Sequence, residues 1–156
     1  MTMTQTAEHN TVRVSRVVEA SIERVWAAWT DPQQKQRWWG RAEGMECHLC
    51  EMDVRVGGQY RYGTRPLGSR DTHADVDGEY LVVEPPHKLV YTWSWTKEEP
   101  QVRDTLVTLE FEDLGGGRTR VHVTHSQQPS VDVAAIHDAG WHAKLADLAA
   151  DFSEYT

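Results

Sequence analysis

Two sets of side chains could carry chemistry: eight histidines with two cysteines, and an aromatic set that includes seven tryptophans and five tyrosines. The cysteines stand as Cys47-His48-Leu49-Cys50, a spacing shared by redox dithiols and by half of a zinc site. Regular strand geometry sends residues three apart to opposite faces, and no second Cys or His pair follows at zinc-finger spacing. The pair is therefore expected to be structural, although spacing alone does not decide a redox role. His122 and His125 are odd-spaced, and His137 and His142 are five apart, so neither pair shares a face. No metal is expected. His125 has the parity of Val121 and Val123 and can look into an interior. A buried, hydrogen-bonded histidine is the commoner outcome there than a proton donor.

The other routes to catalysis find little support. Glu110 alternates away from Leu109 and Phe111 and so faces solvent, while Asp53, just ahead of Gly57-Gly58, is placed to brace backbone N–H groups of a turn. No Ser or Cys sits in a nucleophile elbow. The run Leu114-Gly115-Gly116-Gly117 lacks the Lys-Ser/Thr ending of a phosphate loop and joins two strands, which makes it a turn. The residues name no catalytic group and no cofactor.

The aromatic set is more informative. Tyr60, Tyr62, Tyr80, Tyr91, Trp93 and Trp95 fall mostly at even spacing on neighbouring strand-like stretches. Each residue alone is most simply a core filler. As a group they favour a cavity, because one helix cannot cover a long curved sheet, and hydroxyls among rings suit a small apolar or ring-bearing ligand.

The elements that must position these residues follow from periodicity. Val12, Val14 and Val18 mark a half-buried first strand. Ser21 caps a short helix whose inner face is Ile22, Val25, Trp26 and Trp29, and Asp31-Pro32 starts a second that ends near Trp38-Trp39-Gly40. Two adjacent tryptophans are not expected to point inward together, so one should hang over an opening or pack on a loop. From Gly44 the period changes to two. Strands are expected over residues 47–56, 59–63, 76–83, 89–95, 106–112 and 119–126, with turns between them. The last fifth, residues 130–155, then reads as one amphipathic helix of roughly 30 Å. Ser130 caps it, and Val133, Ile136, Gly140, Trp141, Lys144, Leu145, Leu148 and Phe152 form its inner stripe. Gly140 costs such a helix about 1 kcal/mol relative to Ala. Its place predicts close approach of the helix to the sheet, so Gly140→Leu is expected to destabilise the fold. The class is α+β, a curved antiparallel sheet of six to seven strands with a long helix across its concave face.

Composition sets the outer limits. A formal charge of −8 without a basic run argues against nucleic acid and anionic membrane surfaces as partners. No apolar run approaches the roughly 20 residues of a membrane span. Residues 1–10 are polar, with neither a basic flank nor an apolar centre, and read as a disordered lead-in to one domain over residues 11–156. Cytoplasm is the default location, and monomer or homodimer the expected state.

Order and wording together resemble a known family. The residues that carry the likeness begin with Ala20-Ser21, Val25-Trp26, Trp29-Thr30-Asp31-Pro32 and Trp38-Trp39-Gly40. They continue through Asp53-Val54-Arg55-Val56-Gly57-Gly58, Gly78-Glu79-Tyr80, Pro85-Pro86 and Leu89-Val90-Tyr91-Thr92-Trp93. Val107-Thr108-Leu109-Glu110-Phe111, Val123-Thr124-His125 and Gly140-Trp141 complete the series. The chain resembles the START-like, helix-grip superfamily, in its subgroup related to the Hsp90 ATPase activator. The resemblance implies a seven-stranded sheet gripping the C-terminal helix, with a cavity between them. It also implies binding of lipids, hormones or other apolar molecules, or cyclase-type chemistry, or a co-chaperone role. The last is the less favoured alternative, because the activator has a separate N-terminal domain for which this chain has no room. The expected binding residues are Trp39, Tyr60, Tyr62, Tyr80, Tyr91, Trp93, Trp95, Leu109, Val123, His125, Gly140 and Trp141.

Overall fold

In β1 (Val12–Val18), Val12, Val14 and Val18 turn inward while Arg13 and Ser15 stay exposed, as the alternation requires. The computed structural model describes residues 10–41 and 44–154. The expected lead-in up to His9 and the end of the last helix beyond Glu154 lie outside the described residues. Asn10 is held in place, since its side-chain N–H donates to the Gln128 carbonyl at 3.1 Å.

Helix α1 (Ile22–Thr30) starts at Ser21, whose hydroxyl accepts the Arg24 N–H, and buries Ile22, Val25, Ala28 and Trp29. Asp31 both ends α1 and caps α2 (Pro32–Trp38): its carboxylate accepts the Gln33 N–H at 3.0 Å, and Pro32 takes the first turn, where no donor is missed. Both adjacent tryptophans are buried, and Trp39, as expected of one of the two, borders an opening. Trp38 is the last helical residue and Trp39 is already extended, so the chain direction changes between them and both indoles turn inward.

Six strands follow as a meander: β2 (Met45–Met52), β3 (Gln59–Pro66), β4 (Val76–Glu84), β5 (Lys88–Trp95), β6 (Thr105–Gly115) and β7 (Arg118–Ser126). With β1 beside β7 they form one antiparallel seven-stranded sheet in the order β1-β7-β6-β5-β4-β3-β2. Gly78 marks a close approach within it. A Cβ there would come within 2.7 Å of the Tyr60 ring, and the space lets the Tyr60 hydroxyl reach the Thr92 carbonyl at 2.5 Å.

One register irregularity overturns an expectation. Between Cys47 and Leu49 the pairing of β2 with β3 slips by one residue, so Cys47 stands opposite Thr64 and Cys50 opposite Tyr62. Thr64 and Tyr62 are two apart on β3 and share a face. The bulge therefore puts both cysteines on the inner side, where an unbroken strand would have separated them.

Helix α3 (Val131–Glu154) spans 24 residues and crosses the inner face. Ser130 caps it by accepting the Val133 N–H at 3.1 Å. Its buried stripe runs through Val133, Ala134, His137, Trp141, Leu145, Leu148 and Phe152. Ile136, expected inside, is 55% exposed, and His137, one residue on, takes the inner position instead. A two-pronged ion pair closes one end of the grip: Arg37 on α2 donates to both oxygens of the fully buried Asp151 carboxylate on α3, at 2.7 and 2.8 Å.

Candidate functional site

The inner face of the sheet divides into two aromatic regions. Under β3, β4 and β5, Tyr60, Tyr62, Tyr80 and Tyr91 pack on one another, with ring centres 4.7 Å apart for Tyr60–Tyr62 and 5.2 Å for Tyr60–Tyr91. Each is about 1% exposed. Burial pushes all four hydroxyls well above the ordinary tyrosine range, so they stay neutral.

Toward α3 the filling stops. A cavity of about 620 Å³ lies between helix and sheet, within the size range of small-molecule sites. Trp39, Trp93, Trp95 and Trp141 form its aromatic wall, Met45, Val76 and Ile136 add apolar surface, and Thr64, Asp75 and Lys144 bring polar groups. The Lys144 ammonium lies 5.0 Å from the centre of the Trp39 ring. The Asp75 carboxylate is engaged by the Thr64 N–H and hydroxyl at 3.1 and 2.9 Å.

Gly140 also lines this space. A Cβ there would meet only the Lys144 Nζ, at 3.6 Å. The glycine faces an opening, and the expected close approach of helix to sheet does not occur at this point.

Of the residues expected from sequence to bind a ligand, Trp39, Trp93, Trp95, Gly140 and Trp141 meet on this wall. Tyr60, Tyr62, Tyr80 and Tyr91 fill the neighbouring core, and Leu109, Val123 and His125 are buried off the wall. The strands bearing the tyrosines supply rings across from one another, and these pack together. His137, on the wall, was missed by parity along single elements, because its partner His125 belongs to a different element. The ring centres of the two histidines are 4.3 Å apart.

A directed hydrogen-bond chain fixes the protonation of both imidazoles. An indole N–H can only donate. Trp93 Nε1 donates to His137 Nε2 at 3.1 Å, so the His137 proton sits on Nδ1 and is given to Gln128 Oε1 at 2.7 Å. Trp141 Nε1 donates to His125 Nδ1 at 3.0 Å, so His125 carries its proton on Nε2 and gives it to Thr105 Oγ1 at 2.8 Å. The Thr105 hydroxyl then donates to the Trp93 carbonyl at 2.7 Å. A second proton on either ring would point at an indole N–H. Burial adds to this, pushing His125 down to about 2 and His137 to about 4. Both histidines are neutral fixtures that orient two wall tryptophans.

Lys35 is the other residue that pattern reading missed. It sits on α2 at 1% exposure, with its ammonium 4.3 Å from the Trp39 ring centre, 4.4 Å from Tyr62 and 4.5 Å from Trp29. Burial lowers it to about 7, opposed by Cys50 and Cys47 and assisted by Lys144. Ring faces offer partial compensation for the lost water. A lysine inside an otherwise polar helix gives no periodic signal of this.

Among the described residues no group of three or more His, Cys, Asp or Glu is arranged to hold a metal, and no helix is long and apolar enough to cross a membrane.

A seven-stranded antiparallel sheet curled around a C-terminal helix, with two short helices after its first strand and a cavity between sheet and helix, defines a START-like helix-grip domain. The sequence model of the family described as activator of Hsp90 ATPase homolog 1-like protein matches residues 19–152, and the chain belongs to that family. Protein CV1439 from Chromobacterium violaceum is 30% identical over 90% of this chain and 96% of its own, with a TM-score of 0.77. CalU16 from Micromonospora echinospora is 24% identical, covering 92% of this chain and 76% of its own at a TM-score of 0.67. PFC0360w, an Hsp90 activator from Plasmodium falciparum, is 23% identical, with 76% and 74% covered and a TM-score of 0.59. These last two likenesses bear on fold alone. No match is found among curated proteins.

Proposed function

We propose that this protein binds a small hydrophobic or aromatic molecule in the cavity between α3 and the sheet. The observation that carries this reading is the cavity of about 620 Å³ with four tryptophans in its lining, beside a region where tyrosine rings pack on one another. Trp95, Met45 and Ile136 offer apolar surface with the other three indoles buried behind it, and Lys144 and Thr64 supply polar contacts that orient one end of the ligand. The imidazole on the wall has its proton committed to Gln128 and its lone pair to Trp93, so the reading assigns His137 a positioning task.

Titration of tryptophan fluorescence with a panel of ring-bearing and acyl compounds tests this, alongside native mass spectrometry of the purified chain. The expected result is saturable quenching or a spectral shift by at least one compound, with a mass increment of the same molecule. Flat emission across the panel and a bare mass would contradict the proposal.

A further inference from the structure

The polar groups of the cavity are unevenly committed. Two of its indole N–H groups are spent on histidines, Trp93 Nε1 on His137 and Trp141 Nε1 on His125. The Thr64 hydroxyl gives its proton to Asp75 at 2.9 Å, and the exposed Asp75 carboxylate accepts the Thr64 N–H as well. Lys144 stands differently. Its arm runs back toward the N-terminus of α3, as long helical side chains do, and sets the ammonium over the bare backbone of Gly140 one turn earlier. The Nζ atom lies 3.6 Å from where a Cβ of residue 140 would stand and 5.0 Å from the centre of the Trp39 ring, and both residues line the cavity. Lys144 is half-buried, so an opposite charge beside it is screened less than one at the open surface. Its charge is felt inward, where it helps to lower His137 and Lys35. Two more lysines rest on the same rings: Lys35 Nζ is 4.3 Å from the centre of Trp39, and Lys97 Nζ is 4.7 Å from that of Trp95. In a chain of net charge −8, three lysines gather on two tryptophans of one cavity. The local sign reverses the global one.

We propose that the cavity selects organic anions: its ligand is an aromatic or acyl acid whose carboxylate meets the Lys144 ammonium over Gly140, while its apolar body lies against Trp95, Met45 and Ile136. This rests on the cavity-binding reading above and names the chemical class of the ligand. An ammonium offers three donors and no acceptor, which a carboxylate matches in charge and in lone pairs, a carboxamide only in part and an amine not at all. Gly140 keeps the space beside Nζ clear for the two carboxylate oxygens. Asp75 does not oppose this, because its carboxylate stands on the exposed side and is already braced by both Thr64 donors.

Isothermal titration calorimetry of the full-length chain tests this with three probes that share a ring system and differ in the head: 2-naphthoate, 2-naphthamide and 2-naphthylmethylammonium. The naphthoate should bind at least about tenfold more tightly than the amide, with the ammonium weakest. That advantage should narrow as salt is raised. Lys144→Met should bring the naphthoate down to the affinity of the amide and leave the amide unchanged, whereas Lys144→Arg should keep the preference. Equal affinity for naphthoate and amide, both weakened by Gly140→Leu, would overturn the selectivity and leave the cavity as the binding site. Tightest binding by the ammonium would overturn it in favour of the Asp75 end, and a preference that survives Lys144→Met would move the carboxylate elsewhere. No heat from any of the three, while another compound shifts the tryptophan emission, would overturn the selectivity alone; silence in both experiments would remove the cavity reading with it. The three probes on wild type decide the matter even where a variant fails to fold.

Discussion

The tyrosine region and the tryptophan region of the inner face are both built from large rings, yet it is the second that lines the cavity. Under β3, β4 and β5 the tyrosine rings pack on one another, and Tyr60 touches Tyr62, Tyr80 and Tyr91 at once. Toward the helix, Trp93 and Trp95 meet α3 through His137, and Trp39 and Trp141, backed by Trp29, border the cavity beside the glycine. The histidine pair keeps that wall upright. An aromatic residue fills or lines according to what stands across from it, which depends on sheet curl and helix height more than on its own parity.

The largest expected effect lies in the filled region. Tyr80→Ala removes a ring with no space to relax into and should cost about 3–5 kcal/mol, read as a lower urea midpoint. The next lies in the histidine pair. The fold holds both imidazoles neutral, with His125 at about 2 and His137 at about 4, while an unfolded chain takes up protons near 6.5. Their contribution is fully present above the unfolded value and is lost as pH falls through it toward the folded values. Stability should drop by about 2 kcal/mol per imidazole between pH 6.5 and about pH 5, measured by urea titration at the two pH values. A flat profile over that window would separate the histidines from the tryptophan wall.

Lys35 gives the same linkage at the other end of the scale. Its value falls from 10.5 to about 7, so the unfolded chain binds the extra proton between those limits and stability rises with pH across them. Replacing it by an apolar residue of similar length, Lys35→Met, should stabilise the chain at pH 7 by about 1–4 kcal/mol and flatten the rise. Thermal melts at pH 7 and pH 9 would show both changes.

Much of this was legible beforehand. The even spacing of Val12, Val14 and Val18, the Asp31-Pro32 restart and the Ser130 cap each act through local geometry, and all hold in the fold. What escaped were features that depend on two elements at once. The β2 bulge that unites Cys47 with Cys50 is a property of pairing with β3. The inward turn of both Trp38 and Trp39 depends on where α2 stops. His137 joins His125 only because α3 crosses β7 at that height, and Lys35 is buried only because four rings from three elements close over it. Parity placed the tyrosines and tryptophans on one face; it had no means to say which of them would stand beside a gap.

The smallest expected change in stability falls beside that gap. Gly140→Ala adds a methyl to open space and relieves the helix of its glycine, so the melting temperature should rise, with a gain of about 1 kcal/mol. The central claim is tested most directly by carrying the same position further. Gly140→Leu projects a side chain into the cavity without touching the tyrosine core. The account predicts unchanged or raised thermal stability together with at least about tenfold weaker binding of the compound that wild type takes up, a loss of about 1.4 kcal/mol in affinity. Unaltered affinity in a folded Gly140→Leu protein would place the ligand elsewhere and contradict it.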